Sequence, residues 1–297
     1  MLVTGGGGFV GRPTIRSLLG EGARVRVFDL DAGAVSDLEC EVVTGDIADA
    51  DAVGRACRDV DAVAHLAVLP LTAANAEVQL AFDVNVTGCF NVFRAAGESG
   101  VRRVVYSSAS SAYGPTDAAP IPEDHPLRPV AFYPASKAAG EMLLHGLAGT
   151  YGYEFAILRY MNVYGPGQRA GVVPAVARAL LAGEPPTLTG DGTQSFDFVH
   201  IDDCARANTL ALAADASRES LNVGSGEAAS LNEVVATMAE LLGVDVEPTY
   251  QGEAVPTPPR VGDVTRAREL ISYEASVSLR EGLATVLDEL RRGAPVS

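Results

Sequence analysis

Residues 5–11 read Gly5-Gly6-Gly7-Gly8-Phe9-Val10-Gly11, and no other stretch constrains the topology so tightly. A short apolar run, Met1–Thr4, leads into it, and an apolar-periodic stretch reaching Leu19 follows. Glycines at 5, 8 and 11 then have the spacing G-x-x-G-x-x-G between a strand and a helix. Such a junction needs a tight turn, a backbone close enough to touch a pyrophosphate, and a helix N-terminus aimed at its charge. A flexible loop is the other reading of a glycine cluster, and the residues downstream weigh against it.

The next strand, Arg24–Phe28, runs into Asp29, 18 positions after Gly11. That is near the separation of about 20 expected of an acid that binds an adenosine ribose. A carboxylate there accepts from both ribose hydroxyls and repels a 2′-phosphate, so NAD is expected over NADP. Arg24 and Arg26 lie close in sequence and keep a phosphate-binding alternative open. Gly5, Gly8, Phe9, Val10, Gly11 and Asp29 are the cofactor-binding candidates of this first unit.

The alternation continues. Candidate strands Leu2–Thr4, Arg24–Phe28, Glu41–Val43, Ala62–His65, Arg103–Ser107 and Glu154–Tyr160 are separated by helices near Phe9–Gly20, Ala50–Arg58, Ala76–Gly97 and Pro134–Tyr151. Parallel strands joined by crossover helices follow, with continuous apolar runs such as Ala62-Val63-Ala64 where both faces are buried. The expected class is α/β, a doubly wound parallel (Rossmann) sheet over residues 1–165, with 193–213 returning to it. Past Gly165 the rhythm breaks into a loop, helices near Val173–Ala182, Leu231–Leu242 and Leu279–Arg291, and the Pro-rich stretch Pro248–Pro259. Residues 166–297 are therefore expected to form mainly a smaller C-terminal α/β substrate-binding cap.

Composition sets outer limits. The 297 residues suffice for a substantial core, with 47% hydrophobic and 20% charged residues. Lysine plus arginine number 22 against 38 acids, a net charge of −16, which disfavours nucleic acid and anionic membrane surfaces as partners. No run approaches the ~20 apolar residues of a membrane span, and the first strand begins at Met1, so a cytoplasmic protein is expected. Cys40, Cys57, Cys89 and Cys204 are scattered, which suits reduced thiols and no metal.

Tyr133-Pro134-Ala135-Ser136-Lys137 has the form Y-x-x-x-K at a helix start, where residues i and i+4 share one face. A free tyrosine, with a pKa of about 10, is a poor base at neutral pH. A neighbouring ammonium and a positive nicotinamide ring both favour phenolate, which would take a hydroxyl proton while the carbon loses hydride to NAD⁺.

With these motifs in order, the chain resembles the extended short-chain dehydrogenase/reductase family, in particular its NAD-dependent sugar epimerase/dehydratase group. The resemblance runs through Thr4–Gly11, Asp29, Gly45-Asp46-Ile47, His65-Leu66-Ala67, Asn85–Gly88, Ser107–Gly114, Tyr133–Lys137, Arg159–Pro166, Gly190–Asp203 and Asn222–Gly226. It implies that Asp46 and Ile47 hold the adenine and that Leu66 and Ala67 line the pyrophosphate and ribose. Asn85 would steady the active-site strand, Ser107 would lie on the nicotinamide side, Lys137 would bond the nicotinamide ribose, and Tyr160 would be a further cofactor-binding residue. Asn162 would contact a substrate diphosphate. His65 reads as a packed strand-end histidine.

The chain also departs from that pattern. Four residues before Tyr113, where the family carries a catalytic Ser or Thr, stands Ala109; Ser110 and Ser111 are left to reach the substrate hydroxyl. Sugar 4,6-dehydratases would carry Asp and Glu at those two positions, so dehydration is disfavoured. Phe196 replaces the arginine that pairs with a nucleotide diphosphate, and a second family arginine, expected near Tyr250–Glu253, is missing. Arg169 or Arg260 would then supply the cation. The expected activity is an NAD-dependent epimerisation or oxidoreduction of a sugar or nucleotide-sugar hydroxyl. An NAD-dependent dehydrogenase or reductase of a non-nucleotide, natural-product-like alcohol or ketone is the alternative. Apolar residues on Ala76–Gly97 and Pro134–Tyr151, among them Leu80, Phe90 and Met142, predict a homodimer.

Overall fold

The computed structural model describes residues 1–254 and 258–293, so part of the Pro-rich stretch lies outside the described residues. The first half runs β1 (Leu2–Thr4), α1 (Gly11–Gly20), β2 (Arg26–Asp29), β3 (Glu41–Thr44), α2 (Ala50–Ala56), β4 (Ala62–His65), α3 (Leu71–Ala76), α4 (Val78–Phe82) and α5 (Cys89–Glu98). It continues with β5 (Arg103–Ala109), α6 (Phe132–Tyr151) and β6 (Glu154–Tyr160). Next come β7 (Asn162–Tyr164), α7 (Val172–Leu181), β8 (Thr187–Thr189), β9 (Ser195–Phe196), β10 (Phe198–His200) and α8 (Ile201–Ala213). The chain then adds β11 (Glu219–Val223), β12 (Ala229–Ser230), α9 (Leu231–Leu242), β13 (Thr249–Gln251), α10 (Thr265–Ile271) and α11 (Leu279–Arg291).

Seven parallel strands form the main sheet in the order β3-β2-β1-β4-β5-β6-β11. Reversal of strand order between β1 and β4 opens a crevice at the carboxyl ends of the strands, where a dinucleotide fits. One face packs Val3, Val27 and Val105 against Ile15 and Leu18 of α1 and Cys204 and Ala211 of α8. The other packs Val63, Val104 and Tyr106 against Val53 of α2, Val92 and Phe93 of α5 and Leu144 of α6. Both faces being dry, β4 and β5 carry the uninterrupted apolar runs of a parallel sheet.

A third core, separate from the sheet, joins Val176 and Leu180 of α7, Val234 and Met238 of α9, and Leu283 and Val286 of α11. Three small two-stranded sheets, β7–β10, β9–β12 and β8–β13, complete this upper part. Among the described residues no helix is long and apolar enough to cross a membrane.

Four features differ from the sequence expectation. The helix expected over Ala76–Gly97 breaks at Glu77 and contains a wide π-helical turn at Asp83–Gly88. Helix α1 starts at Gly11 and β2 at Arg26, because Phe9, Val10, Arg24 and Val25 serve the turns. The seventh sheet strand, β11, comes from beyond residue 213. Helix α10, which packs Ala267 and Ile271 into the sheet core, had no strong periodic signal.

Candidate active site

The glycine turn fits a pyrophosphate by its backbone. Gly5 has φ +69°, and a Cβ there would lie 2.6 Å from the N and Cα of Ala67. A Cβ on Gly11 would meet Gly5 O at 2.2 Å. Only glycine lets the loop fold so tightly onto the β4 end, and the α1 N-terminus then opens into the crevice. Asp29, at the β2 end, accepts from Gly7 N–H at 2.8 Å through Oδ2, which fixes its carboxylate beside the loop. Arg26 lies at the opposite end of β2, bonded to Ala56 O, Arg58 O and Glu41, and Arg24 precedes the strand. Neither faces a ribose, which removes the phosphate-binding role left open for them.

Asp46 is exposed and accepts from Ala48 N–H, while Ile47 is buried and its carbonyl is held by Asn91. Leu66 N–H bonds Thr4 O, and Ala67 N–H bonds Thr4 Oγ1. Thr4 Oγ1 also meets His65 Nδ1 at 2.7 Å, and His65 Nε2 meets Cys89 Sγ at 3.2 Å. Burial lowers the pKa of His65 to about 3, so the ring is neutral. Asn85, inside the π turn, accepts from Leu69 N–H and donates to Leu69 O and to Ser136 Oγ. Ser136 in turn donates to Tyr133 O, so the wide turn is tied to the start of α6. Tyr160 is buried, and its hydroxyl donates to Asn208, which reaches Thr14 and through it Val10 O.

Tyr133 and Lys137 stand one turn apart on α6, the Nζ 5.9 Å from the Tyr133 ring centroid. Lys137 is 2% exposed and donates from Nζ to Ser107 O at 2.6 Å, which sets the ammonium against the end of β5. Burial lowers its pKa from the usual 10.5 to about 8, leaving it mainly charged at neutral pH. Tyr133 keeps some exposed surface, yet its phenol is packed deeply enough that burial pushes it up to about 12. The expected downward pull is thus not achieved by the protein alone. Lys137 spends its short contact on the Ser107 carbonyl rather than on the phenol.

After β5 the chain turns through Ser110–Tyr113. Ala109 ends the strand, and Ser111 Oγ is buried with no protein partner, an orphan of the kind a ligand hydroxyl satisfies. Below it lies a buried network. Glu141, a further turn along α6 from Lys137, accepts from Ser108 Oγ at 2.5 Å and pairs with Arg159 at 2.7 Å. Arg159 also donates to Tyr113 Oη and Glu123 O, and Tyr113 donates to Asn222. These bonds lock β5, α6, β6 and β11 together beneath the turn.

The upper part brings three expected residues together through backbone. Asn162 N–H bonds Asp197 O, and Asp197 N–H bonds Arg260 O. Arg260 forms a bridge with Phe196 and donates from its guanidinium to Ser110 O and Gly114 O. Asn162 is exposed, and Phe196 is half-buried, edge-on to Phe198 at 6.1 Å. Of the two candidate cations, Arg260 therefore lies beside Phe196. Arg169 is exposed on the loop before α7, its carbonyl accepting from Arg178.

With this geometry in hand, residues 1–224 match the model of the NAD dependent epimerase/dehydratase family. The chain belongs to that family. A UDP-glucose 4-epimerase of Mycolicibacterium smegmatis is 34% identical, with 98% of each chain covered. The structure of UDP-glucose 4-epimerase with UDP-glucose from Thermotoga maritima matches with a TM-score of 0.91 at 32% identity, over 98% of each chain. MoeE5 in complex with UDP-glucose and NAD gives a TM-score of 0.89 at 34% identity, again over 98% of each. The family is NAD-dependent, and the fold and full-length likeness make this chain an enzyme of the nucleotide-sugar epimerase group. The alternative of a non-nucleotide alcohol draws no support from these relatives.

Several residues of this family member escaped the sequence reading. Glu141 follows Lys137 by four positions and so shares its helix face, a signal that was there to be read. Asp197, fully buried, gathers Ser225 and Gly226 N–H and had no such signal. Arg12 and Asp37 pair at 2.7 Å across the glycine loop, although 25 residues separate them. Among the described residues no cluster of His, Cys, Asp and Glu could hold a metal.

Proposed function

We propose that this protein interconverts nucleotide-diphosphate sugars that differ at one ring hydroxyl, UDP-glucose and UDP-galactose being the first pair to test. One observation carries the reading: the buried Lys137, seated on Ser107 O and near the Tyr133 ring, on the same carboxyl-end side of the sheet as the Gly5–Asp29 crevice. Gly5, Gly8, Phe9, Val10, Gly11, Asp29, Asp46, Ile47, Leu66, Ala67, Asn85, Ser107, Tyr160 and Lys137 would hold or frame NAD. Once bound, NAD supplies the hydride acceptor that lets the hydroxyl carbon become a transient ketone.

Tyr133 acts at its Oη, taking the hydroxyl proton as phenolate and later returning it as phenol. Lys137 stabilises the phenolate, and Ser111 Oγ, without a protein partner, orients the reacting hydroxyl, with Ser110 beside it. Arg260, with Asn162, faces the diphosphate at the position where Phe196 offers only an aromatic surface; exposed Arg169 is the second candidate. We assign residues 1–165, rejoined by 193–213 and by β11 and α10, to the cofactor and most of the remainder to the cap that excludes water. Paired copies would cover the apolar α4–α6 face.

Incubation with UDP-glucose and, separately, UDP-galactose, followed by proton NMR of the anomeric region, tests the proposal. Both reactions should converge on one mixture, and Tyr133→Phe should slow them by about 10²–10⁴-fold. Unchanged sugars at high enzyme concentration would contradict it.

A further inference from the structure

The loop that follows Asp29 holds a guanidinium from the start of α1. Arg12, the second residue of α1, donates from Nη1 to Ala34 O and forms a bidentate pair with Asp37 at 2.8 and 2.7 Å. Arg16, one turn along, approaches the same carboxylate at 3.6 Å. Ala34 places this pair close to the ribose-reading acid. Its Cβ lies 2.6 Å from where a Gly7 Cβ would be, and Asp29 Oδ2 is 3.3 Å from the same point. Ala34, whose carbonyl takes Arg12 Nη1, thus links the guanidinium to the loop that flanks Asp29 and Gly7.

We propose that Asp37 excludes NADP by occupying Arg12, standing in for the 2′-phosphate that this guanidinium would otherwise bind. The chemistry is symmetrical. A bidentate fork satisfies a carboxylate or a phosphate equally well, and an arginine near the β2 end is what accommodates a 2′-phosphate in this kind of fold. Asp29 rejects the phosphate by direct repulsion, whereas Asp37 withholds the one partner that would compensate. Arg12 also lowers the Asp37 carboxyl to about 2, so the blocking charge is present across the working pH range. Arg24 and Arg26, the cations that sequence proximity suggests, are at the wrong end of the strand.

The inference rests on residues 5–29 being the NAD site, and the test separates the two. NAD and NADP are titrated by calorimetry into the wild type, Asp37→Asn, Arg12→Gln and the double variant. The wild type should bind NAD; no NAD binding would overturn the site reading itself. Asp37→Asn should tighten NADP by about tenfold, with NAD affinity moving no more than about threefold. In the double variant the NADP gain should vanish. An NADP affinity unmoved by Asp37→Asn, or a gain that persists without Arg12, would overturn the proposal while leaving the NAD site standing.

Discussion

Replacing Lys137 by methionine should make the protein more stable and less active at once. The ammonium is 2% exposed, and burial presses its pKa from 10.5 to about 8. At about 1.4 kcal/mol per tenfold in the proton equilibrium, keeping it charged near neutral pH costs the fold about 3 kcal/mol. Methionine fills the stem's space and removes that penalty, at the loss of the Nζ bond to Ser107 O, worth about 1–1.5 kcal/mol. A net gain of roughly 2 kcal/mol follows. The sign with pH is fixed by proton counts. From about pH 8 to pH 10.5 the unfolded wild type keeps a proton that the folded form has released, so wild-type stability rises across that window and the advantage of Lys137→Met shrinks. Urea unfolding at about pH 7 and about pH 10, analysed by linear extrapolation, reads both effects, and epimerase rates should fall at least about a hundredfold. A variant that is less stable at neutral pH by an amount independent of pH, with rates within tenfold of wild type, would refute the reasoning.

Three further outcomes are expected. Gly5→Ala, whose Cβ would lie 2.6 Å from the Ala67 backbone, should weaken NAD binding at least about tenfold in a fluorescence titration. Arg260→Gln should raise KM for a UDP-sugar about tenfold or more while kcat moves less than about threefold, and the reverse split would place Arg260 in the chemistry. Light scattering at micromolar concentration should give twice the 30.8 kDa chain mass for the wild type and a single chain for Met142→Glu, since Leu80, Phe82, Phe90 and Met142 are exposed.

The lower half of the fold was legible because local signals and global topology agree there. Backbone at Gly5 and Gly11 that tolerates only glycine, and apolar runs buried on both sheet faces at Ala62–His65 and Glu154–Tyr160, leave little freedom. What escaped depends on distant partners. The π turn at Asp83–Gly88 keeps the apolar spacing of a helix, and its extra residue serves the Asn85 bonds to Leu69 and Ser136. Strand β11 gains its place only by pairing with β6. In the candidate site, spacing nominated Tyr133 and Lys137 and the missing family arginines nominated Arg260, but that Arg260 lies beside Phe196 depends on a bridge between segments 64 residues apart. The Arg12–Asp37 pair is likewise invisible until the loop folds back.

The proposed chemistry turns on the Tyr133 hydroxyl carrying the substrate's proton. Mixing enzyme and NAD with a single equivalent of UDP-galactose, and following the near-ultraviolet absorbance of reduced nicotinamide, tests it most directly. The wild type should show a transient rise that Tyr133→Phe lacks although it retains NAD. An equal rise in both would contradict the claim.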